Sequence, residues 1–223
     1  MTTFGELTML LLRQIPIQLD SSEIFRYLGI RGDKQIDPFF MELIHRIGSY
    51  SLTYLEPKGL YHTLDVENTA EDRVFFKNTE FQLKGEKITR YMSRCTKITF
   101  LAVTIGEEID KMIEQFFKDG KSTEAVILDA VGSDAVEQAA GWIDNAVRNQ
   151  AKVKGYSTLS RVSPGYGLWN IEANQDISRL LNTEEEIGLR VLESFQLVPR
   201  KSVIAAKGWI PAGAQGKEGW EQS

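Results

Sequence analysis

The sequence predicts an α+β fold, a mostly antiparallel sheet with helices packed against it. Three observations predict it. A charge-free run rich in β-branched residues, ITFLAVTIG (98–106), reads as a buried strand. The stretch 123–150 is long, helical in period and free of proline. Between Leu52 and Leu83, short runs of β-formers alternate with polar and Gly/Pro breaks.

Taken in order, residues 7–17 (LTMLLLRQIPI) form an apolar strand ended by Pro16. Asp20-Ser21-Ser22-Glu23 offers N-cap chemistry for a short helix through Tyr27, stopped by Gly29. Asp37-Pro38 starts a second helix, with the aspartate as cap and proline at the first helical position. Its Phe40, Leu43, Ile44 and Ile47 fall on one amphipathic face. The runs SLTYLE, LYHTLDV, RVFF and EFQL are expected as small antiparallel strands or hairpins.

Residues 86–94 suggest a short helix, followed by the buried strand 98–106, which Gly106 ends. A helix from Glu107 to Lys118 follows, with acids at its start and Ile109, Ile113, Phe116 and Phe117 turned inward. After the Asp119-Gly120 turn comes the long alanine-rich helix. Its Gly132 and Gly141 are positions where another backbone or a ligand can come close. From Gly155 the chain is irregular (YSTLSRVSPGYGLWN). It then gives a short helix near 174–182 and strands near 188–193 and 201–206. The polar, glycine-rich tail from Pro211 is expected to fray. With no repeat and no linker, residues 1–223 are expected to form a single domain.

Composition narrows the function classes. The 223 residues are 42% hydrophobic and 26% charged, as in ordinary globular proteins, with a net charge of −5. Nothing in that balance favours phosphate, so neither nucleic acid nor a membrane is an expected partner; one local cationic pocket is still compatible with it. Cys95 is the only cysteine, so an intramolecular disulfide is impossible. His45 and His62 lack metalloprotease spacing and fall in different elements, so no metal site is expected. The N-terminus has no basic n-region or cleavage site, and no stretch reaches transmembrane length; a cytoplasmic location is expected.

No G-x-G-x-x-G, P-loop, G-x-S-x-G or H-E-x-x-H motif is present, and no catalytic residue is assigned. Two segments carry usable chemistry. Arg161-Val162-Ser163-Pro164-Gly165-Tyr166-Gly167 joins a fixed cation, a stiff proline, two glycines that permit backbone approach, and an aromatic ring. A guanidinium fork suits a carboxylate or phosphate, and a tyrosine face suits adenine or a sulfonium. Turn chemistry alone favours a structural Pro-Gly turn here. The second segment is Glu137, set among Gly and Ala in DAVGSDAVEQAAGWID, where it can face a ligand ammonium group. Spacing alone favours a solvated helical glutamate.

Three blocks resemble a known family. DAVGSDAVEQAAGWIDNAV (129–147) is similar to a D-(small)-x-A-x-x-E-A helix, and RVSPGYG (161–167) to an R-x-x-x-G-Y motif. IGLRVLESFQLVPRKSV (187–203) is similar to I-G-[VL]-x-L-T-E-S-x-x-M-x-P-x-x-S-V. Together, in this order, they resemble the activation (reactivation) domain of vitamin B12-dependent methionine synthase and its free-standing relatives. The likeness covers the C-terminal half and extends loosely to TFLAVTIGEEIDKMI (99–113), while the first eighty residues are left unaligned.

The resemblance implies an S-adenosylmethionine-binding module that presents a methyl group for reductive reactivation of an oxidised cobalamin. By itself such a module is expected to show little activity. It implies that Arg161 pairs with the ligand carboxylate and Glu137 with its α-ammonium. Tyr166 and the backbone of Val162, Ser163 and Gly165 would line the nucleoside and the methyl-bearing end. Asp37 is a possible counterpart of a ligand-facing acid from the family's N-terminal part, although its position reads first as a helix cap.

The chain departs from the family in having Gly167 where the motif continues with proline, and in ending in GWIPAGAQGKEGWEQS rather than an aromatic-rich segment. No corrinoid-binding D-x-H-x-x-G motif occurs. The implied partners are therefore a separate corrinoid-binding methyltransferase or methionine synthase chain, with flavodoxin or ferredoxin as electron donor. Two other classes remain open: an S-adenosylmethionine-dependent enzyme with its own substrate, and a non-catalytic interaction domain that has lost the ligand.

Overall fold

The computed structural model describes residues 9–30 and 37–214. In chain order they form β1 (Leu10–Leu12), α1 (Ser21–Tyr27), α2 (Pro38–Ser51), β2 (Lys58–Thr69), β3 (Arg73–Phe76), β4 (Gln82–Lys84) and α3 (Glu86–Met92). There follow β5 (Lys97–Thr104), α4 (Glu108–Lys118), α5 (Ser122–Val153), β6 (Tyr156–Thr158), α6 (Ala173–Leu181) and α7 (Thr183–Ile187). The last strands are β7 (Arg190–Val191), β8 (Leu197–Val198) and β9 (Ser202–Pro211). Seven strands make one antiparallel sheet in the order β4-β3-β2-β5-β9-β6, with β1 on the outer edge of β2; β7 and β8 form a separate hairpin.

The run at 98–106 is buried because it is the middle of that sheet. β5 pairs with β2 from Lys97 to Thr104 on one side and with β9 over the same residues on the other. Side chains alternate between faces. Leu101 and Val103 point to a core shared with α1, α2, α4 and α5, and Ile98, Phe100 and Ala102 to a second core under α3, α6 and α7. In the second core Phe100 stands edge-on to Phe76 (5.5 Å, 80°) and Phe81 (4.9 Å, 75°). Such pairs add about 0.5–1.5 kcal/mol beyond the area they bury.

The expected helices form as their caps and periods dictate. Asp20 accepts from Ser22 N at 2.8 Å and Asp37 from Phe39 N at 2.7 Å. Leu43, Ile44 and Ile47 of α2 are buried. α5 lies close on the sheet through a stripe of small residues, Ala135, Ala139 and Ala140, followed by Ile143 and Val147. At Gly132 a β-carbon would stand 3.1 Å from Ile109 Cγ2 and 3.2 Å from Lys201 Cε, so the missing side chain makes room for α4 and for the Lys201 stem. Gly141 faces open space instead, with nothing approaching it closely.

Other differences have local causes. Of the strand expected at 7–17, only Leu10–Leu12 pairs, against the short free edge of β2; residues 7 and 8 lie outside the described residues. SLTYLE is not a strand: α2 runs on to Ser51 and passes into a 3-10 turn, Leu52–Tyr54. There Ser51 and Thr53 hydroxyls donate back to the carbonyls of Gly48 and Tyr50. Phe117 is 52% exposed, because α4 turns Ile109 and Ile113 inward. The strand near 188–193 shrinks to two residues of a hairpin, preceded by the unexpected helix α7. β9 continues past the strand expected at 201–206 to Pro211, and holds Trp209 and Ile210 in the sheet. The tail beyond residue 214 lies outside the described residues.

Buried polar groups are mostly matched. Lys207 of β9, only 2% exposed, sits 2.7 Å from Asp144 of α5, which also meets Arg148 at 2.9 Å. Removing one member of such a pair strands a charge, at a cost of about 3–5 kcal/mol. His45 lies on α2 and His62 on β2, where burial lowers the His62 pKa. Burial pushes the Cys95 thiol up to about 12, so it behaves as a small apolar side chain against Gly208. Among the described residues, no group of three or more His, Cys, Asp or Glu could hold a metal, and no helix is long and apolar enough to cross a membrane.

Candidate functional site

A groove of about 1100 Å³ opens between α4, α5, the 161–171 segment and the β7–β8 hairpin. Its chemistry begins with Arg161. The chain leaving β6 is stitched to β9: Leu159 N donates to Gly208 O at 2.9 Å, and Val162 exchanges two main-chain bonds with Ala206, at 3.0 and 2.8 Å. Arg161 is therefore held on the rim of the sheet. Its Nη2 lies 2.6 Å from Oε2 of Glu137, which projects from α5. The two are 24 residues apart in sequence and close in space because α5 packs against β9, to which the chain at Leu159 and Val162 is bonded.

This pair has unspent capacity. The Arg161 side chain is 21% exposed, yet its Nη1 is buried and has no partner among the described residues. A guanidinium offers five donors in a planar fork, so one carboxylate contact leaves much of it unused. The Glu137 side chain is 47% exposed, so its carboxylate is open to a second donor.

The following loop is built for backbone approach. Gly165 has φ +88°, a conformation that costs a side-chain-bearing residue of order 1–2 kcal/mol. Its N–H donates to Trp169 O at 2.9 Å, and Trp169, buried against the second core, anchors the loop. Tyr166 is left 77% exposed on the rim. Of the residues named from sequence, Glu137, Arg161, Val162, Ser163 and Tyr166 line the groove, while Gly165 shapes the loop behind it. Val162 spends both main-chain polar groups on Ala206, whereas the Ser163 N–H has no partner among the described residues. Asp37 caps α2 and lines no part of the groove.

Two walls had no signal in the spacing of residues. α4 contributes Glu107, Asp110, Lys111 and Glu114. The hairpin contributes Leu192, Phe195, Leu197 and Arg200, together with Asn174 from α6. Asp110 clamps the hairpin base, accepting from Arg200 N at 2.6 Å and Nε at 3.3 Å. Lys111 bridges Glu107 and Glu108 at 2.6 and 2.8 Å, contacts that raise its pKa. The IGLRVLESFQLVPRKSV block points to the hairpin as a unit, but not to the residues that face the groove.

The groove can hold a zwitterion, since Arg161 and Glu137 set a cation and an anion side by side in it. It can also hold a flat, partly apolar group against the rim tyrosine and the hairpin.

Comparison with known proteins agrees with this architecture. The sequence profile of the family described as "Vitamin B12 dependent methionine synthase, activation domain" matches residues 88–216. Among solved structures, the MetH reactivation domain, crystallised with AdoHcy bound, superposes with a TM-score of 0.70. The match covers 96% of this chain and 81% of that one at 16% identity, a likeness of fold.

Proposed function

This chain belongs to the vitamin B12-dependent methionine synthase activation-domain family, and on that premise we propose that its groove binds S-adenosylmethionine and presents the methyl group to a corrinoid held on another polypeptide. The observation that carries the reading is the Arg161–Glu137 pair with its unpartnered Nη1.

An amino-acid end entering the groove exchanges one ion pair for two. Its carboxylate takes the Arg161 fork, supplying the partner that Nη1 lacks, and its ammonium takes the Glu137 carboxylate. Hydrogen bonds to charged groups contribute about 1.5–3 kcal/mol each, more than a half-exposed ion pair loses on opening. The free N–H of Ser163 meets the ligand along the loop, and the Tyr166 face takes the sulfonium, which is drawn to aromatic π-density.

S-adenosylmethionine supplies an already activated methyl group, so the residues are needed to orient it and not to move protons. That fits a groove whose charged groups are paired and which holds no histidine. The groove opens to solvent, so a methyl end bound in it can be reached from outside the chain. In this proposal the corrinoid is that of a methionine synthase or a related corrinoid methyltransferase, with flavodoxin or ferredoxin as the source of the electron.

The test is complementation. A methionine synthase lacking its own activation domain is inactivated by oxidation, then given this chain, labelled S-adenosylmethionine and a reductant. Recovery of turnover with label on the corrinoid supports the proposal. Binding of S-adenosylmethionine without recovery with any corrinoid methyltransferase removes the reactivation role.

A further inference from the structure

Asn174 carries an inference that rests on reading the groove as an S-adenosylmethionine site. The residue is only 6% exposed, lies on α6, and lines the groove beside Ile171 and Phe195. Its Nδ2 donates to Phe195 O at 3.0 Å. A carbonyl oxygen only accepts, so the nitrogen must face Phe195 and Oδ1 must face the other way. Oδ1 has no hydrogen-bond partner among the described residues and is not sealed from solvent, so a fixed acceptor is left at the groove wall.

The amide is held in place. Phe195 has φ +63°, a left-handed conformation that a non-glycine residue keeps only when its surroundings enforce it. Its N–H donates to Leu192 O at 2.8 Å, and Leu192 N to Gln196 O at 2.9 Å, so the hairpin tip is closed on both sides of the Asn174 bond. Ile171, Leu192 and Phe195 add apolar surface to the lining of the same groove. Apolar walls with one fixed acceptor suit the amino-bearing edge of a flat heteroaromatic ring.

We infer that Asn174 is the specificity-determining residue for the base: its Oδ1 accepts from the exocyclic 6-amino group of adenine while the hairpin covers the ring. Asparagine commonly reads adenine through two bonds. Here Nδ2 is spent on Phe195, so the contact is single and depends on the amino group alone. A 6-oxo purine sets an oxygen against Oδ1 and is rejected.

The test is calorimetric titration of S-adenosylhomocysteine and its 6-oxo counterpart, S-inosylhomocysteine, into the whole chain, beside Asn174→Ala and the shape-matched Asn174→Leu. The expected result is at least about tenfold weaker binding of the inosyl ligand to the unmodified protein, the scale of an acceptor left facing an acceptor. In either variant that folds by thermal melting, the preference falls below about threefold. Loss of packing alone weakens both ligands together and leaves their ratio unchanged. Equal affinities in the unmodified protein overturn the inference and leave the groove reading standing, as does a preference that persists in both variants. If neither ligand binds the unmodified protein, the groove reading fails and the inference falls with it.

Discussion

Two arginines line the same groove and do different work. Arg200 is 55% exposed on its side chain, and both its main-chain N–H and its Nε go to Asp110, with Glu114 4.0 Å from its Nη2. Arg161 is 21% exposed, meets Glu137 through one nitrogen, and keeps a second buried nitrogen unpartnered. The first contact fastens a hairpin to α4. The second is an incomplete bond that a carboxylate can finish. What separates a recognising ion pair from a structural one is thus unspent hydrogen-bonding capacity in a partly desolvated place, and not the presence of opposite charges.

The comparison breaks most readily at Arg161. Arg161→Ala is expected to weaken S-adenosylmethionine binding by about 10- to 100-fold, the scale of a lost charged hydrogen bond, with little change in thermal stability. Calorimetry and a thermal melt on the same sample read both. Glu137→Gln keeps the shape and removes the charge that meets the ammonium; a weakening of about tenfold in the same titration is expected.

Asp110→Ala is the complementary experiment. It frees the hairpin base at two points and is expected to lower stability by about 1–2 kcal/mol in urea unfolding, while affinity falls far less than in Arg161→Ala. An affinity loss as large as that of Arg161→Ala would erase the distinction between the two arginines.

The smallest effect is outside the groove, one turn from Glu137 on α5. Asp134 is 2% exposed and accepts from Asp20 N at 2.9 Å and from Gln138 Nε2 at 3.0 Å. Burial nevertheless lifts its pKa above the ordinary 3.8, outweighing the two hydrogen bonds. The protonated form is thus favoured by folding. Its stabilising contribution is complete below pH 3.8 and is lost as the pH rises through the raised value. Unfolding titrations should show that dependence in the parent and not in Asp134→Asn, with S-adenosylmethionine affinity the same in both.

The fold was legible where pattern and burial coincide. β5 is apolar because it is central, α2 is periodic because one face is buried, and Asp20 and Asp37 announce helix starts through their own side chains. β9 was legible only to residue 206, because Lys207 and Gly208 break its apolar pattern. The lysine is buried only because Asp144 reaches it from α5, and the glycine is required where Cys95 and Met92 press against the strand. Neither partner is near in sequence. The short helix α7 and the hairpin loop carry too few residues for a period to emerge.

The site was legible through resemblance and not through spacing. Glu137 alone reads as a solvated helical acid, and RVSPGYG alone as a turn. What joins them is the stitching of the chain at Leu159 and Val162 to β9, a tertiary fact with no local signature. Asn174 and the clamp at Asp110 are polar residues on amphipathic helices, indistinguishable in sequence from surface positions.

The most direct test of the central claim is calorimetric titration of S-adenosylmethionine and of 5′-methylthioadenosine, which lacks the amino-acid end, into the unmodified chain and Arg161→Ala. The unmodified chain is expected to prefer S-adenosylmethionine by about 100-fold or more, and Arg161→Ala to lose about tenfold or more of that preference, keeping only what the ammonium on Glu137 and the sulfonium on Tyr166 contribute. An undiminished preference in Arg161→Ala would contradict the claim, because the amino-acid end would then be held somewhere other than the Arg161–Glu137 pair.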